Sequence, residues 1–132
     1  MPEHNRHLAA PPGLAPGPGY SHVVTGSGRM VFVSGQVALD EQGNLVGGGD
    51  IAAQSEQVFS NLSRTLEAAG AGFDQVVKLN YYLTDIGGLA AVRAVRDRYL
   101  ATERPASTLV EVKGLFRPEC LIEVEAVAIV PE

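Results

Sequence analysis

Positive charge is scarce in this chain, and the shortage limits its partners. Ten lysines and arginines stand against fifteen aspartates and glutamates in 132 residues, a net charge of −5 with the histidines neutral. A surface that binds phosphate backbones needs an excess of cations, so nucleic acid is not an expected partner. Cysteine occurs once, at Cys120; no intrachain disulfide can form, and the thiol reads as a semi-buried or loop residue without a role. No apolar run approaches the roughly 18 residues that a membrane-crossing helix needs. Met1-Pro-Glu-His-Asn-Arg-His7 lacks the basic-then-apolar order of a secretory signal, so the expected setting is cytoplasmic, without a membrane partner. The three histidines, His4, His7 and His22, lie in or near the N-terminal lead-in with no suitably spaced partner, and no metal site is expected. Gly47-Gly-Gly49 is not a phosphate loop, because the lysine and Ser/Thr that would follow it are missing.

What is present suits one compact domain, with 45% apolar and 19% charged residues. The chain is organised around its last strand, Leu121 to Val130, where side chains alternate between faces. Ile122, Val124, Ala126, Ala128 and Val130 share one face; Leu121, Glu123, Glu125, Val127 and Ile129 share the other. Two carboxylates thus interrupt an apolar face. They either sit on a solvated side of a sheet or line a crevice, and the apolar Val127 and Ile129 favour a covered face with at least one glutamate at a crevice.

Residues 1–19 carry five prolines (Pro2, Pro11, Pro12, Pro16, Pro18) with Gly13, Gly17 and Gly19, and read as a flexible, extended lead-in to a single domain over 20–132. Ser21–Thr25 and Arg29–Gln36, separated by Gly26-Ser-Gly28, predict a β-hairpin. Asp50 is placed to cap a helix from Ile51 to Ala69 that Gly70 closes, with Ser55, Val58, Leu62, Leu66 and Ala69 along its core stripe. The β-branched and aromatic run in Phe73–Thr84 predicts a central strand. A second helix follows from Ile86 to Ala101, with Arg93, Arg96, Asp97 and Arg98 mostly solvated. Ser107–Val112 and Leu121–Val130 are the last strands. The order β, β, α, β, α, β, β, with right-handed crossovers, lays both helices on one face of a mixed sheet. The other face is left apolar and bare, which predicts a homo-oligomer.

Several stretches resemble the RidA family (also called YjgF) of reactive intermediate deaminases: Gly19-Tyr-Ser21, Val31-Phe-Val-Ser-Gly-Gln36, Leu66-Glu-Ala-Ala-Gly70, Val76-Val-Lys78 with Leu83-Thr-Asp85, Arg104-Pro-Ala-Ser-Thr-Leu-Val-Glu-Val112, and Leu121-Ile-Glu-Val-Glu-Ala-Val-Ala128. The resemblance covers residues 17–130. It implies an α+β, chorismate-mutase-like fold: a mixed sheet with two helices on one face, assembled as a homotrimer around a barrel-like β core, with ligand clefts between subunits. It also implies hydrolysis of enamine or imine intermediates to a carbonyl product and ammonia, with no cofactor.

The resemblance assigns catalytic roles to Glu123, Tyr20 and the Gly35 backbone N–H. Glu123 would act as acid toward the nitrogen and base toward water, Gly35 would hold an oxygen, and Tyr20 would orient either. His22 is a weaker candidate at the mouth. The family's deaminases clamp the substrate carboxylate with an arginine at the position of Ser107. A family cysteine corresponds to Leu109, and a cleft asparagine to Arg93. Ser34, near the end of the Arg29–Gln36 run, completes the substrate-binding candidates with Phe116 and Arg117, which lie in a loop before the last strand about one residue longer than the family's. Loss of a charged hydrogen-bonded pair removes about 1.5–3 kcal/mol, so an atypical substrate is expected unless Arg93 or Arg117 supplies the cation. The alternative is a non-catalytic trimer of the same fold that binds a small metabolite. A ribonuclease activity fits poorly, for want of a histidine pair and because of the acidic charge.

Overall fold

The computed structural model describes residues 5–100 and 103–132. Among the described residues, six strands and two α-helices occur in the order β1 (Arg6–Leu8), β2 (Val23–Thr25), β3 (Arg29–Gln36), α1 (Ile51–Ala68), β4 (Val76–Leu83), α2 (Leu89–Tyr99), β5 (Ala106–Glu111) and β6 (Ile122–Val130). Single 3₁₀ turns, Phe73–Gln75 and Ile86–Gly88, lead into β4 and α2. The second helix therefore begins three residues later than its pattern suggested. Its expected end at Ala101 lies outside the described residues.

The main sheet has the order β3-β6-β4-β5, with β4 and β5 parallel and the other pairs antiparallel. This is an α+β fold with both helices on one face of a mixed sheet. Local chemistry explains the helix ends. The Asp50 carboxylate accepts from the N–H groups of Ala52 at 3.0 Å and Ala53 at 3.1 Å, satisfying two donors of the first turn. At the other end Gly70 takes φ +74°, and the Ala71 N–H returns to Leu66 O at 2.8 Å. Between them Ser55, Val58, Leu62 and Leu66 are fully buried, packed on Leu79, Tyr81 and Leu83 of β4 and Ile122, Val124 and Ala126 of β6.

The predicted hairpin is not formed. β2 pairs with β1 instead, in a separate two-stranded sheet, and β3 pairs with β6 from Arg29↔Val130 to Gln36↔Val124. Gly28, at φ +139°, lies so close to Val130 O that a Cβ would collide with it; the chain leaves β2 there and crosses onto the main sheet. Part of the Pro/Gly-rich lead-in is likewise built into the domain. Arg6–Leu8 precedes the first proline pair, so its N–H groups are available for pairing, and His7 Nδ1 lies 2.7 Å from Arg104 O.

The sheet face away from the helices carries Met30 and Phe32 of β3, Val127 and Ile129 of β6, and Val110 of β5. Phe32 is 74% exposed and Met30 55%. Among the described residues, no helix is long and apolar enough to cross a membrane, and no group of three or more His, Cys, Asp or Glu could hold a metal ion.

Candidate active site

Two cavities carry most of the candidate residues. The first forms where β3 loses register with β6: Val33 pairs with Ala126 and Gln36 with Val124, so Ser34 and Gly35 together oppose Glu125. In this bulge the Glu123 carboxylate folds against the Gly35 backbone, filling the volume that a side chain at 35 would take. Glu125 is engaged elsewhere, accepting from the Tyr82 hydroxyl, whose pKa that bond raises. The neighbouring cavity, about 690 Å³, is lined by Gly35, Gln36, Asn61, Arg64 and Phe116 among others. Arg117 stands beside it, its guanidinium carbon 5.8 Å from the centroid of the Phe116 ring.

The start of β6 is held from the helix side by the fully buried Gln54. Its Oε1 accepts from the Leu121 N–H at 2.8 Å, and its Nε2 donates to Glu119 O at 2.9 Å and Gly47 O at 3.1 Å. Three backbone groups around the entry to Glu123 thus share one amide. Gly35→Ala should leave the fold intact, because the colliding group is the end of a flexible side chain, yet it displaces the carboxylate. A loss of about tenfold or more in turnover with an unchanged melting temperature is the expected outcome.

The second cavity, about 260 Å³, lies on the helix side of the sheet. Tyr20, Arg93, Ser107 and Leu109 all line it, with Pro18, Ile86, Leu89, Val92, Tyr81 and Arg96. The Tyr20 ring covers Gly17, where no Cβ could fit. His22 stacks edge-on against that ring at 5.4 Å, and its Nε2 lies 2.6 Å from Ala15 O, so it braces the segment.

The two halves cannot meet within one chain. Ser107 pairs with Leu79 and Leu109 with Tyr81, both buried toward the helices, whereas Glu123 pairs with Tyr82 on the opposite face. Directly opposed residues share a face of a sheet. Glu123, Ser34 and Gly35 therefore lie across the sheet from Ser107 and Leu109.

A family model described as Endoribonuclease L-PSP matches residues 11–130. The 3-aminoacrylate deaminase RutC of Acinetobacter baylyi is 37% identical over 119 residues, covering 89% of this chain and 90% of its own. The chain belongs to the RidA/YjgF family. Protein DfrA of Myxococcus xanthus is 38% identical over 121 residues, 91% of this chain and 89% of that protein. Among solved structures, the Rid-family protein YyfB of Yersinia pestis superposes with a TM-score of 0.87 at 36% identity, covering 97% of this chain and all of its own. RidA of a Psychrobacter species gives 0.73 at 33% identity, with 97% and 99% covered.

Within this RidA-family chain, the helix-side cavity also takes in Tyr81 and Arg96, two polar side chains that residue type and spacing do not mark as site residues. Tyr81 read only as part of a central strand. Arg96 was grouped with solvated charges; Asp97 and Arg98 are indeed half exposed or more, but the Arg96 side chain is only 15% exposed. The cause is a long-range contact: the φ +79° turn at Gly19 lays backbone over the Arg96 guanidinium where any Cβ would clash. Only the fold of the N-terminal segment onto α2 reveals it.

Proposed function

We propose that this chain is a hydrolytic deaminase of reactive enamine or imine intermediates, acting at a site that two copies of the chain build together. The separation of Glu123 and Gly35 from Tyr20, Ser107 and Leu109 by the thickness of the sheet carries the reading. The two sets of groups lie on opposite faces of the sheet, and the bare apolar face on the Glu123 side favours association. Kinship with a protein named as a 3-aminoacrylate deaminase supports the reaction class.

In the proposed reaction, water adds to the carbon of the protonated C=N bond. Glu123 takes the proton that this water releases and delivers it to nitrogen; the C–N bond then breaks as the regenerated carboxylate takes the remaining hydroxyl proton, giving a carbonyl compound and ammonia. The Gly35 N–H holds the oxygen, and the Tyr20 hydroxyl orients substrate or water. Ser34 and Phe116 border the Glu123 half; Arg93, Ser107 and Leu109 border the other. The assembly proposed is a homotrimer with the bare faces inward as a barrel-like core, the number three coming from the family resemblance.

Ser107 at the position of the family's arginine favours an atypical substrate. It also supports a second reading, a trimer that binds a small metabolite without turnover. Imines generated in situ from amino acids by an amino-acid oxidase, with and without carboxylates, separate the two. Faster loss of any imine with the protein present supports the deaminase. No acceleration, together with saturable binding of the corresponding carbonyl compounds, supports the binding protein. The net charge of −5 opposes RNA as a substrate, whatever the family's descriptive name.

A further inference from the structure

Between β5 and β6 the chain runs through residues 112–121 with few hydrogen bonds. Among the described residues, the backbone of this loop is tied to the rest of the domain at its two ends. At one end the Val112 N–H donates to Leu83 O at 2.8 Å. At the other, Leu121 O accepts from the Thr84 N–H at 3.1 Å, and the remaining bonds come from a single side chain, Gln54 of α1. Residues 113–118, which include Phe116 and Arg117, hang between these anchors.

Thr84 and Leu121 stand one step beyond the last ladder pair of β4 and β6, Leu83↔Ile122. An antiparallel pair at that step can exchange two bonds. Only one is made here, because the Leu121 N–H turns to Gln54 Oε1 at 2.8 Å while Gln54 Nε2 donates to Glu119 O at 2.9 Å. One amide thus straddles Cys120, which is fully buried and whose N–H closes a turn on Arg117 O at 3.1 Å. The same Nε2 reaches Gly47 O at 3.1 Å, and Gly47, at φ +78°, lies so close to α1 that a Cβ there would meet Ala53 Cβ at 2.7 Å. Gln54 is 0% exposed, so water cannot replace its amide for the groups it holds without opening the core.

Phe116 lies three residues before Glu119 and shares a cavity wall with Gly35 and Gln36. Its ring is 68% exposed, so packing does little to fix it, and the base of the loop decides where it stands. We propose that Gln54 is a positioning residue for the Glu123 half-site: by holding Glu119 and Leu121 it places Phe116 beside the Gly35 cavity, and through that ring it sets how tightly a substrate is held. The substrate's identity rests on the deaminase reading, whereas the loop's hold on a ligand does not depend on turnover.

The test assays the full-length protein with the imines that an amino-acid oxidase forms from leucine and phenylalanine. The same protein is titrated calorimetrically with the corresponding products, 4-methyl-2-oxopentanoate and phenylpyruvate. Gln54→Met, which keeps the length of the side chain without its amide, should raise KM by about fivefold or more with kcat within about twofold, the sign of lost binding and not of lost chemistry. Phe116→Ala should do about the same, and adding Gln54→Met to it should cost less than about twofold more, because the amide acts through the ring. Gln54→Glu keeps an oxygen for the Leu121 N–H and, as the protonated acid that burial favours, one donated bond, so its KM should fall between wild type and Gln54→Met. Leu66→Ala, about three turns further along α1, should lower the melting temperature with KM unchanged, which separates positioning from general loss of stability. An unchanged KM in Gln54→Met, full multiplication of the two effects in the double variant, or an equal KM rise in Leu66→Ala overturns the proposal. If the wild type binds the products but hydrolyses neither imine, the deaminase reading loses its support and dissociation constants take the place of KM in the same cycle. Imine turnover with uncoupled variants would do the reverse, and a protein that neither hydrolyses nor binds these probes overturns the proposal.

Discussion

Glu123→Gln should reduce hydrolysis of an accepted imine by about a hundredfold or more, with the fold and the oligomeric state unchanged. General acid–base catalysis contributes roughly 10²–10⁴ to a rate, and an amide can neither take the proton from water nor return it to nitrogen. Glutamine is close in size to the carboxylate, so the space against Gly35 remains filled and the strand pairing of Tyr82 with position 123 is unaffected. Single-turnover rates of imine loss, with circular dichroism and size-exclusion chromatography as controls, provide the measurement. An unchanged rate would move the acid–base role to another group, and the Glu123 half-site would then serve only to shape the cleft. A rate loss accompanied by dissociation would instead assign Glu123 to assembly.

The second large effect concerns the bare sheet face. Phe32→Glu places a charge where a 74% exposed ring stands, on the face that also carries Met30, Val127 and Ile129. In a single chain this substitution costs little, since the ring has hardly any protein to lose. In an assembly that buries the face, it strands an uncompensated charge, and the oligomer should give way to monomer at micromolar concentration. Activity should fall by about a hundredfold or more with it, although both half-sites are chemically intact. Light scattering and the imine assay on one sample check both statements. Co-refolding Glu123→Gln with Tyr20→Ala extends the test, because mixed oligomers contain some sites with neither substitution and should regain part of the activity lost in each parent. A fully active monomeric Phe32→Glu would refute the shared site.

Much of the fold was legible in the chain because its signals are local. Asp50 announces a helix by the geometry of its own carboxylate to the next N–H groups, and the stripe from Ser55 to Leu66 follows from 3.6 residues per turn. The alternation in β6 needed only the period of two to put Ile122, Val124 and Ala126 inside and Glu123 outside. The partner of β2 was not legible. Glycine-separated strands favour each other by proximity, but Gly28 turns the chain toward Val130, more than a hundred residues away, and that contact has no local signature.

The candidate site divides in the same way. Glu123, Tyr20, Gly35, Ser107 and Leu109 could be named from residue type and resemblance, and from the sequence alone they form one set. Pairing register separates them into two faces, because neighbouring positions on adjacent strands inherit their side from hydrogen bonding and not from chemistry. Arg96 gained its place only when the glycine-rich segment folded over α2 and buried a side chain that helical position alone would leave in water. By itself the sequence determined the family, the helices, the core stripe and the chemical kinds of the site residues, all properties of short segments. The tertiary structure decided which residues share a cavity, and that Glu123 and Ser107 lie on opposite faces of the sheet, since these depend on long-range register and burial.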